Sequence, residues 1–165
     1  VIKLLNILRE TQILVPRRSP KERQKNHLIA TQKKIQQYIK DGSQGNLDLS
    51  NTPIQSLPDN LTVGGDLYLG NCKNLKSLPK GLVVGGGLYL MRTSIQSLPD
   101  GLKVGGYLTL YKTQIQSLPN GLKVGGDLDL SNTPLAKELI KKGYTQNEQE
   151  ELKKMFPGVK RNIYL

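Results

Sequence analysis

Four Val-Gly-Gly triplets, beginning at Val63, Val84, Val104 and Val124, are the first residues of this 165-residue chain to invite a chemical reading. A glycine-rich turn beside an apolar run can cradle phosphate with its backbone N–H groups, but such a loop stands once, between a strand and a helix. Here the glycines return at one position of a repeating unit and precede a Leu-x-Leu. They read as turns that need either positive φ or close backbone approach. Nucleophilic and metal chemistry find no constellation either: Cys72 and His27 are the only residues of their kinds, and one of each makes neither a catalytic pair nor a ligand set.

Carboxylates are the remaining catalytic option. Asp48, Asp66, Asp127 and Asp129 border or split the Leu pairs, at the two ends of the array, with tyrosines between. Copies stacked about 4.8 Å apart hold the two acidic groups too far from each other for an acid/base pair. Asp127 and Asp129 are neighbours and could bind a cation or an Arg. The residues just before, between and just after each Leu pair include Tyr68, Tyr89, Tyr107 and Tyr111, four of seven tyrosines, in a chain with one Phe and no Trp. Met91, Arg92 and Lys112 stand beside them. Tyr offers rigid contact area with a polar tip, so the candidate partner-binding set is Tyr68, Tyr89, Met91, Arg92, Tyr107, Tyr111, Lys112, Asp127 and Asp129. The chemistry this implies is recognition of a protein; no enzyme activity, cofactor or metal is expected.

These residues are positioned by a repeat. The Leu pairs fall at Leu47/Leu49, Leu67/Leu69, Leu88/Leu90, Leu108/Leu110 and Leu128/Leu130, spaced by 20, 21, 20 and 20 residues. The extra residue belongs to the second copy, where Leu75 follows Cys72 one place later than Ile95 follows Thr93. Leu-x-Leu reads as a short strand with both leucines inward and the middle residue outward. One such coil cannot bury its own apolar face, but a stack can.

Residues 45–135 resemble the leucine-rich repeat family, whose units of about 20 to 29 residues carry L-x-x-L-x-L-x-x-N/C-x-L. The first consensus Leu is Gly here (Gly64, Gly85, Gly105, Gly125), and the Asn/Cys position holds Thr52, Cys72, Thr93, Thr113 and Thr133. The return segment x-I-x-S-L-P-x-G-L-x-V-G-G is most similar to short repeats of bacterial leucine-rich proteins, secreted effectors among them, and of tailed-phage proteins. The resemblance implies an α/β solenoid of about five coils with short parallel strands, an inward Thr/Cys column that satisfies backbone groups, and helical caps at both ends. It also implies an inhibitor or modulator of a host protein, and it does not extend to the ubiquitin-ligase domains of the effectors.

The flanks supply the expected caps, dividing the chain into 1–44, 45–135 and 136–165. Ser19-Pro20-Lys21-Glu22 is a capping box, and Leu28, Ile35 and Ile39 trace an apolar stripe up to a stop at Asp41-Gly42. Residues 3–13 suggest another short helix, broken by Pro16. Thr133-Pro134 starts a helix that ends at Gly143, Thr145 and Glu148 form a second box for a helix to about Met155, and Val159 to Leu165 read as a final strand pairing with the stack.

The formal net charge of +11 raises a second possibility, nucleic-acid binding. Its distribution is uneven: residues 1–44 carry ten basic against three acidic side chains, residues 45–130 seven against six, and residues 131–165 seven against four. The alternative site is therefore the N-terminal run Arg17, Arg18, Lys21, Arg23 and Lys25, with tyrosines as stacking platforms. No apolar run approaches the roughly 20 residues of a membrane span, VIKLLNILRE lacks the features of a secretion signal, and a single Cys makes no internal disulfide. The expected location is the cytoplasm.

Overall fold

The computed structural model describes residues 19–165; the expected helix at 3–13 lies outside them. In chain order the elements are α1 (Pro20–Lys40), β1 (Leu47–Asp48), β2 (Thr62–Val63), β3 (Leu67–Tyr68), β4 (Val83–Val84), β5 (Leu88–Tyr89), β6 (Lys103–Val104), β7 (Leu108–Thr109), β8 (Lys123–Val124), β9 (Leu128–Asp129), α2 (Pro134–Lys141), α3 (Gln149–Met155) and β10 (Ile163–Tyr164). The strands form a parallel solenoid with two sheets, one ordered β1-β3-β5-β7-β9-β10 and the other β2-β4-β6-β8. Equivalent residues face each other from coil to coil, Leu47 against Leu67, Leu67 against Leu88, Leu88 against Leu108 and Leu108 against Leu128.

The second sheet differs from the expectation that Val-Gly-Gly is only a turn into the next strand. Val63, Val84, Val104 and Val124 are themselves strand residues, buried at 0–3% exposure, and the glycine pair after each forms the corner between the sheets. The corner glycines do not adopt positive φ. Among the glycines of the complete coils that conformation is taken by Gly81, Gly101 and Gly121, matched by Asn60 in the first coil, all in the return segment. What the corner requires is close approach: a Cβ on Gly85, Gly105 or Gly125 would collide with the carbonyl oxygen of the corner glycine one coil before it. Gly85, Gly105 and Gly125 donate their N–H groups backwards, to Val63, Val84 and Val104 of the preceding coil.

Four coils are complete, rather than about five. The fifth copy makes its first strand, β9, and then enters α2 in place of a return segment, because Pro134 fits the first helical turn and the Thr133 hydroxyl accepts the Ala136 N–H. The extra residue of the second coil is absorbed in a turn over Cys72–Leu75, so neither strand ladder slips. The Thr/Cys column points inward. Thr52, Thr93, Thr113 and Thr133 each donate a hydroxyl to the leucine carbonyl three residues earlier at 2.6–2.8 Å, whereas the Cys72 thiol reaches back one coil to Leu49 O at 3.0 Å.

Helices flank the stack. In α1 the Ser19–Glu22 capping box is formed in both directions. Its packed face is Leu28, Thr31, Ile35 and Tyr38, and Ile39, expected in the stripe, is 45% exposed. Tyr38 ties the helix to the first coil by donating to Ser43 O and accepting from Gly64 N. The second capping box is only half made. Glu148 accepts the Thr145 N–H, but the Thr145 hydroxyl turns to Asn147, and α3 begins after Glu148 with no side-chain cap. Beyond α3, β10 pairs in parallel with β9, Ile163 against Leu128 and Tyr164 against Asp129. No helix among the described residues is long and apolar enough to cross a membrane.

Candidate functional site

The outward side of the larger sheet presents three columns. The first runs Asn46, Asp66, Gly87, Tyr107, Asp127 and Asn162; the central one Asp48, Tyr68, Tyr89, Thr109, Asp129 and Tyr164; the third Ser50, Gly70, Met91, Tyr111 and Ser131. Many of the polar members serve the stack itself. Asn46, Asp66 and Asp127 accept, respectively, the N–H of Asp66, Gly87 and Asn162 in the next coil. Asp48, Thr109 and Asp129 accept the N–H two residues on, from Ser50, Tyr111 and Ser131, the local turn that short polar side chains favour. The Thr109 hydroxyl also donates to Asp129 at 3.2 Å.

Asp127 and Asp129 therefore each support the backbone as well as standing on the outward face. Thr109, an outward position, is 2% exposed. The Ser50 N–H holds the Asp48 carboxyl below the usual carboxylate range against the opposing effect of burial, with Ser50 and Lys34 adding to the lowering. Asp48 is thus placed to keep its charge while supporting its turn.

The tyrosines form a continuous surface. Tyr68 and Tyr89 stack with centroids 4.7 Å apart and planes at 10°, matching the strand repeat, and Tyr89 meets Tyr107 at 6.0 Å and 37°. Two glycines at outward positions make this possible. Gly87 lies under the Tyr89 ring, where a Cβ would come within 2.8 Å of the ring edge, and Gly70 lies under the Met91 side chain. Met91 itself is 38% exposed.

The phenols fall into two electrostatic classes. Tyr68 donates to Asp66 at 2.9 Å, and that bond first, then burial, raises its pKa. Tyr107 is raised much further, mainly by burial and then by the Asp129 carboxylate. Tyr111 is shifted the other way, chiefly by the adjacent Lys112 side chain, with Arg92 adding to the effect. The Lys112 ammonium also lies 5.0 Å from the Tyr111 ring centroid, a cation–π distance. Arg92 and Lys112 occupy the turn that leaves the strand, both with positive φ.

Tyr164 belongs to this face and was absent from the candidate set. Its signal was the alternation Asn-Ile-Tyr-Leu, which places Ile163 inward and Tyr164 outward once β10 is paired. The basic alternative is not assembled with the tyrosine stack. Lys21, Arg23 and Lys25 are exposed on the first turns of α1, a stretch that buries none of its side chains, while Arg17 and Arg18 lie outside the described residues. Of Lys21, Arg23 and Lys25, it is Arg23 that approaches the coils, lining a groove with His27, Asn51, Asn71 and Lys73.

The remaining chemistry is limited. Cys72 is fully buried, with its thiol committed to a carbonyl, and no group of three His, Cys, Asp or Glu side chains that could hold a metal occurs among the described residues. Compared with models of protein families, with curated proteins and with solved structures, the chain matches none.

Proposed function

We propose that this chain is a non-enzymatic protein-interaction module of the short-repeat bacterial or phage leucine-rich type. In this reading α1 caps one end of the solenoid, and α2, α3 and β10 finish a fifth, incomplete coil at the other. The docking surface is the face built by Tyr68, Tyr89, Tyr107, Tyr111, Met91, Arg92 and Lys112 with Asp127 and Asp129 at its rim, now extended by Tyr164. The partner is a host protein that the module inhibits or modulates, in the cytoplasm.

The observation that carries the reading is the run of three tyrosines in contact across three consecutive coils. Stacked rings, with Tyr89 seated over Gly87, hold large contact area with little freedom left to lose, which lowers the ordering cost of association. The test is capture from host lysate with wild-type protein and with Tyr89→Ala/Tyr111→Ala, each with and without nuclease. The reading expects a protein partner that survives nuclease and is lost in the variant. Unchanged capture by a folded variant removes the strand face as the docking surface.

Nucleic-acid binding through Lys21, Arg23 and Lys25 is kept as the second reading because those side chains project from an unpacked segment of α1. Its mark is affinity that falls steeply between about 50 and 200 mM salt. Contact through the tyrosines changes far less over that range.

A further inference from the structure

One row of the solenoid departs from its own rule. The residue that precedes each Thr or Cys of the inward column is left-handed in every copy: Asn51 at φ 59°, Asn71 at 60°, Arg92 at 57°, Lys112 at 56° and Asn132 at 62°. Asn is among the few side chains suited to this conformation, and a long side chain there is strained. Asn also serves the stack, since Asn71 donates its amide to Asn51 Oδ1 at 3.1 Å. Arg92 and Lys112 give up both advantages in two adjacent coils.

Those two coils are the ones that carry Met91 and Tyr111 beside the tyrosine stack. Among the described residues neither cation has a carboxylate partner, for the ion pairs there all lie within α2, α3 and the turn after α2. The edge formed by 51–54, 71–75, 92–95, 112–115 and 132–135 carries Lys73, Arg92 and Lys112 and no acidic residue. Arg23 joins it across the groove at Asn71 and Lys73. Tyr111 presents its phenol beside this edge, with the Lys112 ammonium 5.0 Å from its ring centroid. Backbone strain kept at neighbouring positions with unpaired charge is typical of a site that recognises something.

We propose that Arg92, Lys112 and Tyr111 anchor carboxylate side chains, so that the partner segment docked along the tyrosine stack is acidic. This rests on the strand face being the docking surface and adds the chemistry of its occupant. Arg92 supplies a planar fork suited to a carboxylate, and Lys112 a point charge one coil away. A nucleic-acid strand fits less well, because a continuous line of phosphates crossing the face meets Asp48 and Asp66 at one end and Asp127 and Asp129 at the other. A peptide can confine its carboxylates to the cationic edge.

The test titrates isotope-labelled protein with a short synthetic peptide of alternating Glu and Tyr, with the same peptide carrying Gln for Glu, and with oligothymidylate. The acidic peptide is expected to shift the amide signals of Arg92, Tyr111 and Lys112, and to bind roughly tenfold more tightly than the Gln peptide. The Arg92→Asn/Lys112→Asn variant, which restores the residue of the other coils, should lose that preference and melt about 2–4 °C higher as the strain is relieved. An Asn variant that keeps the preference overturns the proposal. So does a peptide response confined to Tyr68 and Tyr89, although the strand-face reading then survives. No response on the face with either peptide removes both. Oligothymidylate binding at Arg92 and Lys112 with steep salt dependence, in the absence of acidic-peptide binding, also overturns it in favour of nucleic acid.

Discussion

Gln149 grips the main chain of Ile163 with both ends of its amide: Oε1 accepts the Ile163 N–H at 2.8 Å, and Nε2 donates to the Ile163 carbonyl at 2.8 Å. Gln146 repeats the arrangement, accepting from Leu165 N at 3.2 Å and donating to Ile163 O at 3.0 Å. Two side-chain amides thus stand where the next strand of the larger sheet would be. An unpaired strand edge is a template for another chain, and here α3 and the turn before it occupy the template.

Removing both amides should reopen that edge. Gln146→Ala/Gln149→Ala is expected to lose about 1–3 kcal/mol for the unpaired groups at buried Ile163 and to self-associate. Denaturant midpoints and sedimentation velocity measure the two effects. A variant as stable as the wild type, and no more self-associated, would show that the amides do not protect the edge.

Two glycine substitutions separate close approach from backbone conformation. Gly101 has φ 69° and open space around it, so Gly101→Ala should cost about 1 kcal/mol from the left-handed conformation alone. Gly105→Ala drives a Cβ into the Gly85 carbonyl and should cost ~3 kcal/mol or more by forcing two coils apart. Urea denaturation of the pair decides. Equal losses contradict the corner described above.

Leu90 is fully buried at the centre of the stack. Leu90→Asp should abolish cooperative folding, since an unpaired carboxylate there costs more than the few kcal/mol a domain has to spare. Circular dichroism and thermal melting suffice to check it, and a cooperatively folded product would overturn the inward register.

Of Tyr68, Tyr107 and Tyr111, Tyr111 should ionise first as pH rises and Tyr107 last. A phenol whose folded pKa is raised favours the protonated form in the native state. Its contribution is therefore complete below the unfolded value of about 10 and is lost as pH climbs from there towards the folded pKa. Tyr68 and Tyr107 both act in this direction. Tyr111 acts oppositely, gaining stability from its folded pKa up to about 10. Phenolate absorbance of single Tyr→Phe variants gives the order, and Lys112→Met should delay the Tyr111 step.

Much of the architecture is legible because the repeat restates it. The Leu pairs show the strand register in every copy, and Ser19 with Glu22 marks the start of α1 in a way that only a helix satisfies. The second sheet is not legible. Thr62-Val63, Val83-Val84 and Lys103-Val104 are two-residue strands, too short to show alternation, and they hide inside the return segment. The number of coils is misread because the fifth copy keeps Leu128, Leu130 and Thr133 but has Pro134-Leu135-Ala136 where a return segment would begin.

The face is legible as a list of outward residues and illegible as a surface. Sequence places Tyr68, Tyr89, Tyr107 and Tyr111 outward. It does not show that Asp127 is occupied by the Asn162 N–H, that Thr109 is covered, or that Gly87 is a seat for Tyr89. Those depend on which side chain leans over which coil. The left-handed backbone at Arg92 and Lys112 is likewise visible only as φ, because the Asn of the other copies differs from them in a single letter per repeat.

The two flanks of the solenoid run their backbone bonds in opposite senses. On the left-handed row Asn51, Asn71, Arg92 and Lys112 donate forward to Gly70, Met91, Tyr111 and Ser131, whereas at the glycine corner Gly85, Gly105 and Gly125 donate backward to Val63, Val84 and Val104. Peptide dipoles aligned along the stack on one flank are opposed by those on the other, unlike the single-sense alignment in an α-helix. These two rows give neither end of the stack a field of its own to draw in a charged group. A charged partner is then addressed by side chains, and some of these, Asp66 and Asp127 among them, also accept N–H groups of the next coil, so the address and the ladder are partly the same residues.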